Sequence, residues 1–266
     1  MPKELLAAAI LNQKEPALKS RVEALLKRGV VSTLAIVWAG NNVSSEKFIR
    51  LKTNKAVSLG IRTKLFHLKE GAEEKELHSR LEELAEDPEV HGIIIQLPLP
   101  AHLEPERFIR LIPKEKDVDG LRKDSPYFSP AARGVIELIL QASPIEGKII
   151  AVVGQGRLIG EPLKKLLPAF SPQKVFYIDK KTKNPQKLTR QAEIVVSATG
   201  IANLIDENWL KEGAILIDAS PGDFHPSALQ KASFYTPKVG ALGPLTIFFL
   251  LENTTKAAEN LLKENI

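Results

Sequence analysis

Short apolar runs alternate with longer amphipathic stretches along the chain, and this alternation limits the possible folds more than any other feature. The runs have the length and β-branched content of strands, and the stretches carry apolar residues at helical spacing. Strands are predicted at residues 33–38, 63–67, 90–96, 148–153, 174–178, 193–198 and 214–217. Helices are predicted at residues 3–28, 44–60, 73–85, 135–141 and 245–262, with Ser44 or Ser45 capping the second. Strands that alternate with helices predict parallel sheets with crossover helices.

Length, charge and residue usage narrow the class of protein. The 266 residues are 44% hydrophobic and 26% charged, which favours two domains. The formal charge of +5 is spread without a basic block, which favours a mixed solvated surface over a nucleic-acid footprint. The chain has no cysteine and its five histidines lack the paired spacing of zinc ligands, so no metal site is expected. Neither a signal peptide nor a membrane-spanning run is present, and a cytoplasmic location is expected.

A glycine-rich turn follows the predicted strand at residues 148–153. In GQGRLIGEP, Gly154, Gly156 and Gly160 bring backbone N–H groups to the mouth of a helix, where a phosphate would bind. Glycines that serve only a tight turn are the alternative. Asp179 ends the next strand, where an acid accepts hydrogen bonds from an adenosine ribose, while Lys180 beside it would suit a 2'-phosphate. NAD and NADP are therefore both open.

Three other stretches hold candidate functional residues. Phe48 and Lys52 are four residues apart and share a helix face, although a lysine at such a position is usually a solvated surface residue. KDVDG, residues 116–120, offers two carboxylates in a turn, and most such loops only cap a helix or complete a turn. TPKVGALGPLT, residues 236–246, suits close approach of backbone to a flat ligand, or a domain hinge.

The motifs taken together, in their order along the chain, indicate a protein family more specifically than any single motif does. GIIIQLPLP (92–100), KDVDG, a strand before G-x-G-x-x-x-G-x-P, and TPxxGxxGPxT make the chain resemble the bifunctional methylenetetrahydrofolate dehydrogenase/cyclohydrolase family over nearly its whole length. The resemblance implies a parallel α/β folate domain at residues 1–122, joined by a returning C-terminal helix at 245–266. Residues 123–244 would form a Rossmann-like NAD(P)-binding domain, with folate in the cleft between the two lobes and a homodimer as the assembly.

The resemblance also assigns roles to individual residues. Lys52 matches the catalytic lysine, Gln96 its hydrogen-bonding partner at the end of an inner strand, and Asp119 the acid that binds the pterin ring. The implied substrate contacts are Ser45, Phe48, Leu97, Pro98, Gly240 and Pro244. The implied contacts of NADP or NAD are Gly154, Gln155, Gly156, Arg157, Gly160, Asp179, Lys180, Thr199, Gly200 and Pro221.

The implied activity is oxidation of 5,10-methylenetetrahydrofolate, followed by hydrolysis of the methenyl product to 10-formyltetrahydrofolate. Phe48 replaces the family's tyrosine, so a dehydrogenase with weak cyclohydrolase activity, or a relative that only binds folate or nucleotide, is the alternative. Gln155-Gly156 and Asp179-Lys180 replace the usual Arg-Ser and His-Ser pairs. These changes favour NAD, although Arg157 or Lys180 would compensate for NADP. The loop after Asp218 is shorter than the family's.

Overall fold

The structure is a computed structural model that describes residues 2–264, and it consists of two parallel sheets with helices. In chain order the strands are β1 Lys3–Glu4, β2 Thr33–Ala39, β3 Arg62–Leu68, β4 Gly92–Ile95, β5 Ile149–Val153, β6 Lys174–Ile178, β7 Ile194–Ser197, β8 Ala214–Asp218 and β9 Ala232–Tyr235. The α-helices are α1 Ala7–Lys27, α2 Val43–Ser58, α3 Glu74–Glu86, α4 Pro105–Ile109, α5 Pro130–Ala142, α6 Gly160–Leu166, α7 Pro185–Thr189 and α8 Leu242–Glu264. None of the helices within residues 2–264 is long and apolar enough to cross a membrane.

The chain divides into two compact units. One comprises residues 1–13 and 131–246, and the other comprises residues 14–130 and 247–266. The boundaries differ from the predicted ones chiefly at the amino terminus, which was expected to be helical from residue 3 and part of the folate domain. Lys3 and Glu4 instead form β1 and pair with Phe234 and Tyr235 of β9, so the first residues group with the larger sheet.

The larger sheet has six parallel strands in the order β1-β9-β8-β7-β5-β6, as expected for a Rossmann-like unit. Its central strands are continuous apolar runs because helices and loops cover both faces of a parallel sheet. All four residues of β7 are buried between β8 and β5, which confirms that the run at 193–198 is an inner strand. The carboxyl ends of β5, β6, β7 and β8 therefore lie along one edge, where α/β proteins bind ligands.

The smaller sheet has three parallel strands in the order β3-β2-β4. All seven residues of β2 are buried, and one face of the sheet packs on Leu77, Leu81 and Leu84 of α3. The expectation that Gln96 follows an inner strand is wrong, because within residues 2–264 β4 pairs only with β2 and lies at the sheet edge. Its four residues are buried all the same, since the apolar run GIII packs within the unit.

Two helices position residues of the unit that contains the three-stranded sheet. The cap of α2 is Asn42, whose side-chain oxygen accepts from the Ser45 N–H at 2.9 Å, and not the predicted Ser44 or Ser45. Residues 247–264 of α8 belong to this unit as the predicted returning helix. There the Asn253 side chain donates to the carbonyls of Val118 and Phe128 at 2.8 and 3.1 Å and fixes the loop that follows residue 116.

Candidate active site

Lys52 is a buried lysine on the inward face of α2. That face presents Ser45, Ile49, Lys52 and Ala56, which recur at helical spacing. Only 5% of Lys52 is exposed, so the surface position typical of a helix lysine does not apply. Its ammonium Nζ donates to Oε1 of Gln96 at 2.8 Å. Burial of an ammonium beside a neutral partner costs folding free energy, and such groups are typical of functional sites. Lys52 is therefore the strongest candidate for chemistry.

Gln96 is held so that its side-chain oxygen faces the lysine. Its backbone N–H donates to the Val37 carbonyl at 2.8 Å, which continues the β4–β2 ladder one residue beyond the strand. Its side-chain nitrogen donates to the Leu97 carbonyl at 2.7 Å, so the oxygen is the atom left for Lys52. The amide thus orients the ammonium without adding charge.

Asp117 and Asp119 of KDVDG have different roles. Asp117 is 1% exposed and accepts from the N–H groups of Leu121 and Arg122 at 3.2 and 2.9 Å, which makes it the turn residue. Burial raises the pKa of Asp117 to about 6, and these backbone donors oppose the rise. Asp119 is partly exposed and interacts electrostatically with Lys52. The structure therefore brings Lys52, Gln96 and Asp119 together, as the sequence predicts.

Burial sets the protonation of the lysine and the acid in opposite directions. Loss of hydration lowers the pKa of Lys52 to about 8, and the charge of Asp119 opposes this fall. Loss of hydration also raises the pKa of Asp119, and the Lys52 charge opposes that rise. The Phe48 ring lies 4.8 Å from Nζ of Lys52 and adds a cation–π contact. Since Phe48 has no hydroxyl, it helps hold the ammonium but cannot exchange a proton.

The other predicted substrate contacts are placed as follows. Ser45 is buried on the same face of α2 as Lys52. Leu97 and Pro98 directly follow Gln96; Leu97 packs on the core, and Pro98 is exposed. Gly240 and Pro244 belong to the other compact unit, so their contacts with folate stay predictions. Lys116 lies outside the site, because its Nζ donates to three carbonyls at the end of α3, of Leu84, Ala85 and Asp87.

The turn after β5 is shaped for close approach of a ligand to the backbone. Gly154 has φ of 97°, and a Cβ there would lie 2.4 Å from the Ala198 carbonyl oxygen. A Cβ on Gly160 would lie 2.2 Å from the Gly154 oxygen, so the turn closes on itself only with glycine at both positions. A Cβ on Gly156 would meet no atom within 4 Å. The turn thus leaves open space beside its middle glycine, which fits a dinucleotide phosphate.

The remaining predicted cofactor residues lie along the carboxyl edge of the larger sheet. Gln155 and Arg157 belong to the turn after β5. The side-chain nitrogen of Gln155 donates to the carbonyls of Val152 and Ile178 at 2.9 and 3.3 Å. The others follow β6, β7 and β8 directly: Asp179 and Lys180, Thr199 and Gly200, and Pro221. Four neighbouring strands therefore deliver these residues to one edge, although their contacts with a cofactor stay predictions.

Sequence reasoning missed Asp223, a buried carboxylate that organises this edge. One of its oxygens accepts from the Ser197 hydroxyl at 2.6 Å and from both the N–H and hydroxyl of Thr199 at 2.8 Å. Asp223 thereby fixes the loop after β7 in front of Gly200. Asp223 lies within the loop sequence ASPGDFHP, and a single acid in a short polar loop carries no signal of burial.

Comparisons with known proteins identify the family. A family model described as tetrahydrofolate dehydrogenase/cyclohydrolase, catalytic domain, matches residues 5–119. A second, described as tetrahydrofolate dehydrogenase/cyclohydrolase, NAD(P)-binding domain, matches residues 129–262. The bifunctional protein FolD of Bacillus subtilis is 34% identical over 283 residues, which cover 97% of this chain and 100% of that protein.

Two solved structures show the same architecture. The bifunctional enzyme FolD from Campylobacter jejuni has a TM-score of 0.89 and 30% identity, covering 98% of this chain and 99% of that one. The Trypanosoma brucei methylenetetrahydrofolate dehydrogenase-cyclohydrolase, complexed with NADP cofactor and inhibitor, has a TM-score of 0.88 and 26% identity, with the same coverage. With two family models across most of its length and a relative that it matches end to end, this chain belongs to the tetrahydrofolate dehydrogenase/cyclohydrolase family.

Proposed function

We propose that this chain oxidises 5,10-methylenetetrahydrofolate to the 5,10-methenyl form with NAD(P)+, and hydrolyses the methenyl form to 10-formyltetrahydrofolate. The observation that carries the proposal is the buried Lys52 ammonium, bonded to Gln96 and influenced by Asp119. Family membership supports both half-reactions. A dehydrogenase-only or binding-only relative is not favoured, because the chain retains all three of these side chains in one place.

The first half-reaction depends on positioning. When bound, the nicotinamide ring accepts the hydride, and the protein's task is to align it with folate and exclude water. On the side of this chain, the glycine turn at residues 154–160 and the loops after β7 and β8 would hold the dinucleotide. Asp119 would hold the pterin ring, since its carboxylate accepts hydrogen bonds from N–H groups of that ring. The lowered pKa of Lys52 and its hydrogen bond to Gln96 serve the second half-reaction.

The second half-reaction needs a group that takes a proton from water near neutral pH. With a pKa of about 8, Lys52 is neutral in about a tenth of the molecules at pH 7, whereas an ordinary lysine is protonated in almost all of them. The neutral amine would take a proton from the water that attacks the methenyl carbon, and the ammonium would return it to N5 of folate as the bond between that carbon and N5 breaks. The remaining hydroxyl proton would leave to solvent, which gives the formyl group on N10. Gln96 orients the amine, and the charge of Asp119 keeps the ammonium form accessible.

Replacement of Lys52 tests the proposal directly. Lys52→Met should lower the rate of methenyl hydrolysis by about 10² to 10⁴-fold, the usual contribution of a general acid–base group. Hydride transfer and folate affinity should change far less, because positioning does not depend on the ammonium proton. Both half-reactions are followed by absorbance, of the methenyl form and of the reduced cofactor.

Lys47→Met is the matched control, since Lys47 is an exposed lysine on the same helix. It should leave both rates within about twofold of the unmodified protein, as surface changes usually do. Unchanged hydrolysis in Lys52→Met would remove Lys52 from the mechanism. Loss of both half-reactions together with folate binding would assign it a structural role.

The proposal includes a homodimer and a cytoplasmic location. In support of the first, β6 lies at the edge of the larger sheet, and within residues 2–264 it pairs only with β5. An edge strand with one free side is a ready partner for another chain. The location stays a prediction from sequence, which fractionation of the source cells would test.

A further inference from the structure

We infer that the dinucleotide site selects NAD over NADP, and that Asp179, held in place by Thr182, makes the selection. The inference rests on the proposed dehydrogenase activity and concerns only which nicotinamide cofactor serves it. NADP differs from NAD by a phosphate in place of the adenosine 2'-hydroxyl. The argument therefore turns on the charges and hydrogen-bonding groups that surround that position.

Asp179 lies beside the glycine turn. Val153 and Ile178 are register partners in β5 and β6, and the Gly154 N–H donates to the Ile178 carbonyl at 2.8 Å. Asp179 is therefore the first residue beyond β6, immediately next to the start of the turn. In parallel α/β folds an acid at this place accepts hydrogen bonds from the adenosine ribose. A hydroxyl can donate such a bond, whereas a phosphate cannot and carries the same sign of charge.

The Asp179 carboxylate is fixed by the turn that it begins. Its Oδ1 accepts from the Lys181 N–H at 2.9 Å and from the Thr182 hydroxyl at 3.0 Å. The same hydroxyl oxygen accepts from the Asp179 N–H at 3.0 Å, which closes a ring between the two residues. The Lys181 N–H and the Thr182 hydroxyl lower the pKa of Asp179, so the group is ionised at neutral pH. None of these bonds uses Oδ2, which is left for a ligand.

The two turn residues that follow Gly154 bring no positive charge to the 2'-position. The Gln155 side chain folds back onto the carbonyls of Val152 and Ile178, at the ends of β5 and β6. Gly156 has no side chain, and the space beside it is open. These two turn residues therefore offer a phosphate no cation, and the Asp179 carboxylate that follows β6 is held by hydrogen bonds.

Four cations on the same two segments act in the opposite direction: Arg157, Lys180, Lys181 and Lys183. The three lysine side chains are exposed. At physiological salt, exposed charges are screened beyond about 8 Å, and a mobile ammonium loses entropy when it is held against a phosphate. Asp179 is already held and needs no such ordering. The balance therefore favours a donor hydroxyl over a phosphate at this position.

The test compares the two cofactors in four forms of the protein. The unmodified chain should have a kcat/KM for NAD+ at least about tenfold above that for NADP+, because like charges in a fixed contact are strongly disfavoured. Asp179→Ser should lower that ratio by about 10- to 100-fold, mainly through a gain with NADP+. Thr182→Val should lower it partially, since the carboxylate remains but loses its fixed direction.

Glu146→Gln is the control, because it removes one exposed negative charge from the same unit ahead of β5, at the opposite end of the strand from the turn. It should leave the ratio unchanged. Calorimetry with 5'-AMP and with adenosine 2',5'-bisphosphate gives a readout independent of turnover. The unmodified protein should prefer 5'-AMP, and Asp179→Ser should bind the bisphosphate more tightly than the unmodified protein does.

Two outcomes overturn the inference: preference for NADP+ in the unmodified protein, or the same ratio in Asp179→Ser as in the unmodified protein. A ratio that moves equally in Glu146→Gln would also overturn it, because the effect would then be one of net charge. Failure of the proposed dehydrogenase activity is distinguishable. In that case neither cofactor would be reduced, whereas the preference between the two adenosine nucleotides would still be measurable.

Discussion

At the residue scale, the site depends on a lysine whose two polar neighbours act on it differently. Gln96 bonds the Lys52 ammonium at 2.8 Å and contributes no charge, while Asp119 contributes charge and raises the lysine pKa against the effect of burial. The resulting pKa of about 8 is a compromise between lost hydration and one carboxylate. Changing either neighbour should therefore move the pKa in a direction fixed by charge alone.

The pH dependence of hydrolysis should report these changes. If the neutral amine accepts the proton, the rate rises as pH increases through the Lys52 pKa near 8. Asp119→Asn removes the charge that opposes burial, so the pKa falls and the rise occurs at lower pH. Gln96→Glu places a carboxylate against the ammonium, so the pKa increases and the rise occurs at higher pH. The measurement is the rate of methenyl decay against pH, with the uncatalysed rate subtracted.

The two variants serve as controls for each other, because a general loss of structure would not move the inflection in opposite directions. Inflections that stay together, or that shift the same way, would contradict the assignment of the pH dependence to Lys52.

At the element scale, the loop of residues 116–122 joins a helix end to the site. Lys116 donates to three carbonyls at the end of α3, which have no partners within the helix. Its charge also faces the negative end of the helix dipole. Asp119 lies three residues further along the same loop. The motif KDVDG therefore combines a helix cap, a turn residue and a candidate site residue.

Removal of the cap should cost stability and leave the chemistry intact. Lys116→Met should lower the free energy of unfolding by about 1–3 kcal/mol, because the carbonyls of Leu84 and Ala85 lose this donor, while the Asp87 carbonyl still accepts from the Val90 N–H at 3.1 Å. Lys114→Met, two residues earlier and exposed, should change it by less than about 0.5 kcal/mol. Urea unfolding followed by tryptophan fluorescence measures both. Equal stability of the two variants would show that water replaces the lysine at the helix end.

At the scale of the whole molecule, the open edge of the larger sheet is the feature that predicts assembly. The Ile178 carbonyl accepts from Gly154, so the backbone groups of Ile178 and of alternate residues before it face β5. The backbone groups of Val175 and Tyr177 therefore face away from the sheet. A second copy that pairs at this edge would use them.

Sedimentation velocity should therefore show a species of about twice the 29.3 kDa of one chain. Val175→Pro removes one outward N–H, and proline is tolerated on an edge strand where that group does not pair within the sheet. This variant should sediment as a monomer with an unchanged circular dichroism spectrum. A monomeric unmodified protein at micromolar concentration would exclude the homodimer, and a dimeric variant would place the interface elsewhere.

Much of this protein follows from sequence because its signals are local. The period of apolar residues predicts β2 to β8 and the long helices, since a strand buried on both faces must be apolar throughout and a helix needs apolar residues three or four apart. It misses β1 and β9, which pair with each other at one side of the larger sheet. The glycine turn after β5 is local only in part, because a Cβ on Gly160 would meet the Gly154 oxygen of the same turn, whereas a Cβ on Gly154 would meet the Ala198 carbonyl oxygen of the loop after β7. The family motifs extend this to Lys52, Gln96 and Asp119.

Tertiary structure decides the contacts of residues that the local sequence does not distinguish. Asp117 and Asp119 are the same residue type in one turn, and only folding directs one to backbone N–H groups and the other towards Lys52. Lys3 and Glu4 look like the start of a helix until β9, more than two hundred residues later, offers a pairing edge. Burial of a charge, the edge position of β4 and the role of Asp223 depend likewise on residues distant in sequence. The spacing of apolar residues carries no information about such partners. The hydration and hydrogen bonding of a side chain depend on the residues that surround it in the folded chain, and these are distant in sequence.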